Sequence, residues 1–451
     1  MNPILLRYAG IALMAAVFGV GGGYLAVNNK ADRPTPPSGT TVAIPAQPFP
    51  GQGIPAIPAI PALPSAKSTA SCPKVSEFSM SSLLDKSWSI KNPQPVLREG
   101  NFLYTYWYII QTMFRSKSGA LFVGGFTADS NGWVAVMNKS TDNGATWSRI
   151  EMPRLSAPQS WNMVFAITED NSGTMYAGGT ELWKSSDGGN TWSALPSPYP
   201  RTAWWYYNIP VTSLLVTKDN TLIVVSSAGE GTTGLYLPSK VAKSMDGGKT
   251  WSELFTHRYY ITSVVEAADG SLVFRDSEYG NTGGVYRYAG GAVTKTLTDG
   301  VAAMELNAGI LKASDGTMYL VSGDPAVDLY SGTEYTEPGH ALLAAFKSTD
   351  NGASWIKLGT LPDSWTIQST VVEAADGTLY ATSFSVCTGN NVVYKSVDKG
   401  AGWSVVAKAP KFGSGKSIDD RYYYYVVRSF IKAQGGGVLI GGNAPVIFST
   451  K

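Results

Sequence analysis

The chain alternates tight turns with short apolar runs. Seven times a turn rich in Gly, Asp or Asn precedes a short, mostly apolar segment, which is the pattern of a buried β-strand. These turns begin at Ser118, Ser172, Asp219, Asp269, Asp315, Asp376 and Gly435, and successive copies stand 46 to 61 residues apart. Because that spacing matches a repeat of four strands, the pattern predicts seven four-stranded units.

A second motif of eight residues recurs between the copies of the first. It reads Ser-Ser-Asp-Gly-Gly-Asn-Thr-Trp from Ser185 to Trp192. It returns at Ser140 to Trp147, Ser244 to Trp251, Ser348 to Trp355 and, with Gly402 replacing the hydroxyl residue, Ser396 to Trp403. The Asp carboxylate can accept backbone hydrogen bonds, Gly supplies positive φ, and Trp packs under the turn. The motif therefore predicts a β-hairpin corner.

This Ser-x-Asp-x-Gly-x-Thr-Trp pattern resembles the Asp-box, or BNR, repeat of sialidase-like β-propellers. The resemblance covers nearly the whole chain from residue 72 onward and implies that the units are propeller blades. In that family the Asp box lies at the blade periphery, away from the ligand face. The resemblance thus implies a structural role for the box aspartates, Asp142, Asp187, Asp246, Asp350 and Asp398.

If the strands of a blade are named A to D from the axis outward, the first turn joins A to B and the Asp box joins C to D. The wide gap after Trp251 then holds a blade with a decayed box, whose C to D hairpin runs from Val285 to Val293. The last blade lacks its D strand. The segment Lys86 to Ile90 matches the D strands of other blades, so we expect it to complete the last blade and close the ring. The predicted fold is an all-β, seven-bladed β-propeller over residues 72–451.

The sialidase active site is not supported by the sequence. That family uses an arginine triad, a tyrosine nucleophile with a glutamate partner, and an aspartic acid on six blades. Its Arg-Ile-Pro motif is absent, and the nearest segment reads Pro-Val-Leu-Arg at residues 95–98. Glu266 and Glu373 lie in matching Val-Val-Glu-Ala-Ala-Asp-Gly stretches that end A strands, so we expect a structural role for both. No catalytic residue is predicted.

The connections from D to A cross the expected ligand face, and five of them combine an arginine with aromatic residues. The candidate ligand or partner residues are Arg98 with Tyr106, Arg154 with Trp161, Arg201 with Trp204 and Trp205, Arg258 with Tyr259, and Arg421 with Tyr422. Such a face suits sugar rings by stacking, carboxylates by bidentate hydrogen bonds, or a protein partner. The alternative is that the aromatics pack between blades while the arginines pair with structural carboxylates.

A long B to C excursion of the fifth blade, from Gly323 to His340, brings several acids towards the same face. It has two interpretations, a solvated insertion or a source of an acid or base for glycoside cleavage. The second requires a carboxyl group with a perturbed pKa.

The N-terminal residues differ from the rest of the chain. Residues 8–27 are uncharged and long enough to span a bilayer, so residues 1–30 are predicted to be a membrane anchor, with a cleaved signal as the alternative. Residues 31–71 contain ten prolines and predict a semi-rigid stalk. The propeller is therefore expected on the exported side of a membrane, in the periplasm or outside the cell.

The remaining composition narrows the chemistry. Cys72 and Cys387 are the two cysteines and could form one disulfide in an exported chain. With two histidines and no Cys/His cluster, neither a metal site nor a cofactor is predicted. A formal net charge of +2 gives no reason to expect nucleic acid as partner.

Two functional classes remain. The first is a membrane-tethered, non-catalytic binding or assembly module that docks a membrane protein, a glycan or a carboxylate ligand; in blade number and arginine-bearing face it is similar to the propellers that assist photosystem assembly. The second is a glycoside hydrolase or carbohydrate-binding protein on a sialidase-like scaffold. The missing arginine motif, the seventh blade and the stalk favour the first.

Overall fold

A computed structural model describes most of the chain beyond residue 108. The described residues are 88–91, 109–129, 132–153, 162–199, 211–226, 238–277, 283–298, 309–323, 343–362, 364–365, 371–385, 390–408, 427–432, 438–442 and 447–450. The predicted anchor, the predicted stalk and both cysteines lie outside them. No helix in these ranges is long and apolar enough to cross a membrane.

The described residues form 29 β-strands. The first nine are β1 (Trp88–Lys91), β2 (Ile109–Arg115), β3 (Leu121–Asp129), β4 (Gly132–Ser140), β5 (Ser148–Glu151), β6 (Val164–Glu169), β7 (Met175–Gly179), β8 (Leu182–Ser185) and β9 (Ser193–Leu195). The next eight are β10 (Ser213–Val216), β11 (Leu222–Ser226), β12 (Ser239–Ser244), β13 (Ser252–His257), β14 (Tyr260–Glu266), β15 (Leu272–Ser277), β16 (Gly284–Ala289) and β17 (Ala292–Thr298). The last twelve are β18 (Leu311–Lys312), β19 (Met318–Gly323), β20 (Leu343–Ser348), β21 (Ile356–Leu361), β22 (Ser364–Trp365), β23 (Val371–Glu373), β24 (Leu379–Ser385), β25 (Asn390–Ser396), β26 (Ser404–Lys408), β27 (Val427–Lys432), β28 (Val438–Gly442) and β29 (Ile447–Thr450).

These strands form antiparallel sheets arranged as a β-propeller, which confirms the predicted all-β propeller architecture. Six sheets consist of consecutive strands: β2–β5, β6–β9, β10–β13, β14–β17, β18–β21 and β22–β26. A further sheet has the order β1-β29-β28-β27 and so combines both ends of the described chain. Its outer strand β1 aligns Trp88 with Thr450 and Lys91 with Ile447. The expected pairing of the N-terminal strand with the last blade is therefore present.

The innermost strands follow one another around an axis. Contacts join β2 to β6, β6 to β10, β10 to β14, β18 to β23, β23 to β27, and β27 back to β2. Between β14 and the fifth unit, the Ile310 backbone N–H donates to Ser263 Oγ at 3.2 Å. Apolar clusters fill the spaces between neighbouring sheets; in one, the fully buried Trp183 packs with Phe122 and Met137 of the preceding sheet. The core is thus a ring of interfaces between sheets.

The two ends of the strands define two faces. The turn face carries the A to B turns, such as residues 116–120, and the Asp boxes, such as residues 140–147. The connection face carries the B to C and D to A connections, such as residues 179–182 and 257–260. Because β29 runs from the connection face to the turn face and β1 is antiparallel to it, Trp88 lies at the turn face. The chain that precedes β1 therefore joins the propeller on the turn face.

The Asp boxes form the hairpin corners that the sequence predicts. Asp187 accepts hydrogen bonds from Thr191 Oγ1 at 2.6 Å and from Ser185 Oγ at 2.8 Å. Ser185 Oγ in turn accepts the Gly189 N–H at 2.9 Å, and Gly189 has a φ of 81°. A Cβ at Gly189 would lie 2.4 Å from Phe122, so both backbone and packing require glycine here.

The tryptophans of the boxes depart from one part of the prediction. In three boxes the indole donates to the glycine carbonyl of its own turn, as Trp192 does to Gly189 O at 3.2 Å; the other two are Trp147 and Trp403. Trp251 instead donates to Pro196 O, and Trp355 donates to Thr296 Oγ1, both in the preceding blade. The box tryptophan can therefore join two blades as well as support its own turn.

The decayed box is also a hairpin. Strands β16 and β17 are joined at Gly290 and Gly291, whose φ angles of 58° and 83° are both positive. Two consecutive residues with positive φ form the two-residue turn that best matches the twist of a hairpin. Glycines thus replace the Asp box in this blade without loss of the C to D connection.

Candidate functional site

The D to A connection between the third and fourth blades is the part of the predicted ligand face that the structure describes best. It contains Arg258 and Tyr259 between β13 and β14. The other predicted ligand or partner residues lie outside the described residues: Arg98, Tyr106, Arg154, Trp161, Arg201, Trp204, Trp205, Arg421 and Tyr422. The excursion after Gly323 also lies outside them.

Arg258 and Tyr259 form a cation–π pair. The Arg258 guanidinium carbon lies 5.3 Å from the centroid of the Tyr259 ring. Arg258 is exposed and Tyr259 is half-buried. A guanidinium held over an aromatic ring at a surface presents N–H donors beside an apolar face, which suits hydroxyl or carboxylate oxygens next to a sugar ring.

A buried polar pair lies beneath this connection. His257 Nε2 and Asp276 Oδ2 are 2.7 Å apart, and their side chains are 9% and 0% exposed. The other oxygen of Asp276, Oδ1, accepts the Gly284 N–H at 2.6 Å. Asp276 thus connects the end of β13 to the start of β16, across both loops that border the fourth blade at this face.

Aromatic rings surround the His257–Asp276 pair, and they continue towards the core. The His257 ring packs edge-on against Tyr286 at 4.6 Å, Phe274 at 5.1 Å and Tyr259 at 5.9 Å between centroids. Phe274 and Tyr286 stack at 5.3 Å with an interplanar angle of 10°. On the far side, Lys295 Nζ lies 5.6 Å from the Tyr286 centroid. The imidazole is therefore fixed by three rings and one carboxylate.

A second polar cluster lies on the other side of the third blade. Tyr199 donates to Glu253 Oε2 at 3.2 Å, and Lys240 Nζ lies 5.6 Å from the Tyr199 ring centroid. Burial raises the pKa of Tyr199, and the nearby Glu253 carboxylate raises it further. Tyr199 comes two residues before Arg201, so this cluster fixes the start of the connection that carries Arg201, Trp204 and Trp205. The Arg201 and Arg258 connections thus flank the third blade, one leading into it and the other leading out of it.

Glu266 and Glu373 lie on the turn face and act between blades. Glu266 Oε2 accepts the Lys218 N–H at 2.7 Å, and Glu373 Oε2 accepts the Ser314 N–H at 2.9 Å. Glu169 repeats the arrangement with the Lys117 N–H at 2.6 Å. In each case the glutamate ending one A strand holds the A to B turn of the preceding blade. The expected structural role of Glu266 and Glu373 is consistent with these bonds.

Glu373 and the five box aspartates are held in their ionised form. Burial acts to raise the pKa of Glu373, but the bonds from the Ser314 N–H and from Lys399 Nζ outweigh it, so the pKa lies below its usual value. The Ser354 hydroxyl lowers the pKa of Asp350 to about 2. Hydrogen bonds also lower the pKa values of the other four box aspartates, Asp142, Asp187, Asp246 and Asp398. Groups held as anions accept hydrogen bonds and do not donate protons near neutral pH.

Sequence reasoning named Arg258 and Tyr259 but missed His257 and Asp276. A signal was present in the repeats. Trp251 and Trp355 precede equivalent D strands, so His257 occupies the position of Leu361. The matching Asp-Gly turns likewise make Asp276 equivalent to Ser383. A change from Leu and Ser to His and Asp at positions that face each other across two neighbouring blades marks a local departure from the blade pattern. Within the described residues, no group of three or more His, Cys, Asp or Glu side chains could hold a metal ion.

Comparison with known proteins finds relatives that match part of the chain. No family model matches it. Its relatives include a xyloglucanase of Paenibacillus sp, 26% identical over an alignment of 268 residues that covers 53% of this chain and 25% of that protein. A xyloglucanase of Hypocrea jecorina is 26% identical over 273 residues, 50% of this chain and 29% of that protein. The chain thus spans between a quarter and a third of the length of these relatives.

Solved structures with a similar fold include three propellers. YCF48 from Cyanidioschyzon merolae has a TM-score of 0.49 at 14% identity, covering 81% of this chain and 98% of that one. Trypanosoma rangeli sialidase has a TM-score of 0.42 at 14% identity, with coverages of 66% and 54%. The GH74 enzyme of Niastella koreensis has a TM-score of 0.37 at 14% identity, with coverages of 78% and 71%. At these values the likeness concerns the fold alone. The chain is a β-propeller with Asp-box corners, similar to sialidase-like and YCF48 propellers.

Proposed function

We propose that this protein is a membrane-tethered, exported propeller that binds a glycan on its connection face. The seven sheets would form one closed ring, with the N-terminal strand as the outer strand of the last blade. The observation that carries the proposal is the exposed Arg258 guanidinium held over the Tyr259 ring. This pair offers hydrogen-bond donors beside an apolar face, the combination that orients a sugar.

The position of β1 supports the proposed arrangement at the membrane. Because the chain enters the propeller at the turn face, a stalk preceding β1 would leave the connection face free to meet a large ligand. The similarity to xyloglucanases over half of the chain makes xyloglucan the first ligand to test.

The test is calorimetric titration of the purified protein with xyloglucan oligosaccharides. We expect saturable binding that Arg258→Ala and Tyr259→Ala weaken while the thermal unfolding temperature stays constant. Arg149→Ala is the matched control, since Arg149 is exposed on β5 at the blade edge. Equal affinity in Arg258→Ala and Arg149→Ala would refute this site. If the protein binds another glycan and not xyloglucan, and Arg258→Ala weakens that binding, the ligand assignment is wrong and the assignment of the connection face stands.

A second candidate function is glycoside hydrolysis, and the identity to two xyloglucanases favours it. It requires a carboxyl group with a raised pKa and a second carboxylate across the scissile bond. The acids of residues 324–340 are the candidates from the sequence. Incubation with xyloglucan followed by mass spectrometry of the products distinguishes the two functions, because a binding protein leaves the polymer intact.

A further inference from the structure

We propose that His257 and Asp276 are positioning residues, which hold the Arg258–Tyr259 pair in the geometry that binds ligand. The inference rests on the proposed function for the identity of the ligand, but the placement of Arg258 can be tested without it. His257 and Asp276 act through the ring of Tyr259 and through the two loops that border it.

A series of contacts links Asp276 to Arg258. Asp276 holds His257 Nε2 at 2.7 Å and the Gly284 N–H at 2.6 Å, so one carboxylate fixes two connections of the face. The His257 ring then packs edge-on against Tyr259 at 5.9 Å and 74°. Tyr259 in turn lies under the Arg258 guanidinium at 5.3 Å. An unbroken series of contacts thus leads from the buried carboxylate to the exposed cation.

The fold does not require the His257–Asp276 pair. The D strand β21 has the same length and the same burial pattern as β13, and it ends in Leu361, which is fully buried in an apolar cluster. The residue equivalent to Asp276 is Ser383, which is also fully buried. A leucine and a serine therefore satisfy the same two positions between the fifth and sixth blades.

Burial of the His257–Asp276 pair carries a free-energy cost. Removing a carboxylate and an imidazole from water is unfavourable, and apolar replacements of buried polar pairs are often as stable or more stable. The fifth and sixth blades form the equivalent interface with Leu and Ser. His and Asp therefore give the interface of the third and fourth blades no evident extra stability. The pair instead fixes the orientation of the Tyr259 ring, because a hydrogen-bonded imidazole has one orientation and Tyr259 packs on its edge.

The test introduces the residues of the interface between the fifth and sixth blades into the interface between the third and fourth. The double variant His257→Leu, Asp276→Ser reproduces the Leu361 and Ser383 positions, so we expect it to fold with an unfolding temperature close to that of the wild type. Affinity for xyloglucan oligosaccharides should fall about tenfold, since small misplacements of binding groups have large effects. The matched control is Leu361→His, Ser383→Asp, which should leave that affinity unchanged.

A ligand-free measurement separates this inference from the proposed function. The Nε–H signal of Arg258, identified by its loss in Arg258→Ala, should show an upfield ring-current shift in the wild type. In the double variant it should move to the position of a solvated arginine. If Arg258→Ala has no effect on binding but the signal moves, the ligand assignment fails and the positioning role stands. If the signal stays in place, the positioning role is wrong.

Discussion

Replacement of Glu373 tests whether the glutamates at the ends of the A strands are structural. Glu373 is 7% exposed and accepts two hydrogen bonds, from the Ser314 N–H at 2.9 Å and from Lys399 Nζ at 3.0 Å. A hydrogen bond to a charged group contributes about 1.5–3 kcal/mol. The half-exposed Lys399 adds about 0–1 kcal/mol. Glu373→Ala should therefore lower the free energy of unfolding by roughly 1.5–4 kcal/mol.

The assay is thermal and urea unfolding of the propeller. For about 380 residues, an entropy of unfolding near 2.1 cal/mol/K per residue converts this loss to a decrease of roughly 2–5 °C in unfolding temperature. Glu151→Ala is the control, because Glu151 is exposed at the end of β5 and should change stability by less than about 0.5 kcal/mol.

The stabilisation that Glu373 contributes should depend on pH. The pKa of Glu373 is lower in the folded state than its usual 4.5, so its stabilisation is present above that value and is lost as the pH falls through the folded-state pKa. The difference between the wild type and Glu373→Ala should therefore narrow below about pH 4.5. A variant that keeps full stability but loses a glycan-cleaving activity would refute the structural role and make Glu373 a catalytic acid.

Three further perturbations test the fold. Deleting residues 84–92 removes β1 and exposes the edge of β29, so it should lower the unfolding temperature and promote association in gel filtration; a stable monomer would contradict ring closure. Gly179→Ala places a Cβ 1.8 Å from the Met163 carbonyl oxygen and should destabilise by at least about 1–3 kcal/mol in urea unfolding, whereas Gly309→Ala meets no atom within 4 Å and should be neutral. Asp350→Ala should destabilise above about pH 4 and lose its effect near pH 2, because the folded-state pKa of Asp350 is about 2; an effect that persists at pH 2 would exclude the hydrogen-bonded carboxylate as its cause.

Much of the fold could be predicted because it is written as a repeat. The Asp box fixes φ, hydrogen bonds and packing within eight residues, so the corner at Asp187 follows from local sequence. The N-terminal strand could be assigned because the last blade lacked one strand and Trp88 begins a segment similar to the other D strands. The partners of Trp251 and Trp355 could not be predicted, because they depend on how neighbouring blades approach each other.

The site was harder to predict than the fold. Arg258 and Tyr259 stood out as an arginine beside aromatic residues in a short connection. His257 and Asp276 did not, because they lie 19 residues apart and meet only when the third and fourth blades pack together. The two positions can be recognised only once the blades are aligned, because the alignment shows His257 in the place of Leu361 and Asp276 in the place of Ser383.

Glycan binding by the Arg258–Tyr259 pair is best tested by titrating xyloglucan oligosaccharides into the wild type, Arg258→Ala and Arg149→Ala in one series. We expect saturable binding to the wild type and to Arg149→Ala, and a clear loss of affinity in Arg258→Ala at unchanged unfolding temperature. Equal affinities in all three proteins would contradict the assignment of glycan binding to the Arg258–Tyr259 pair.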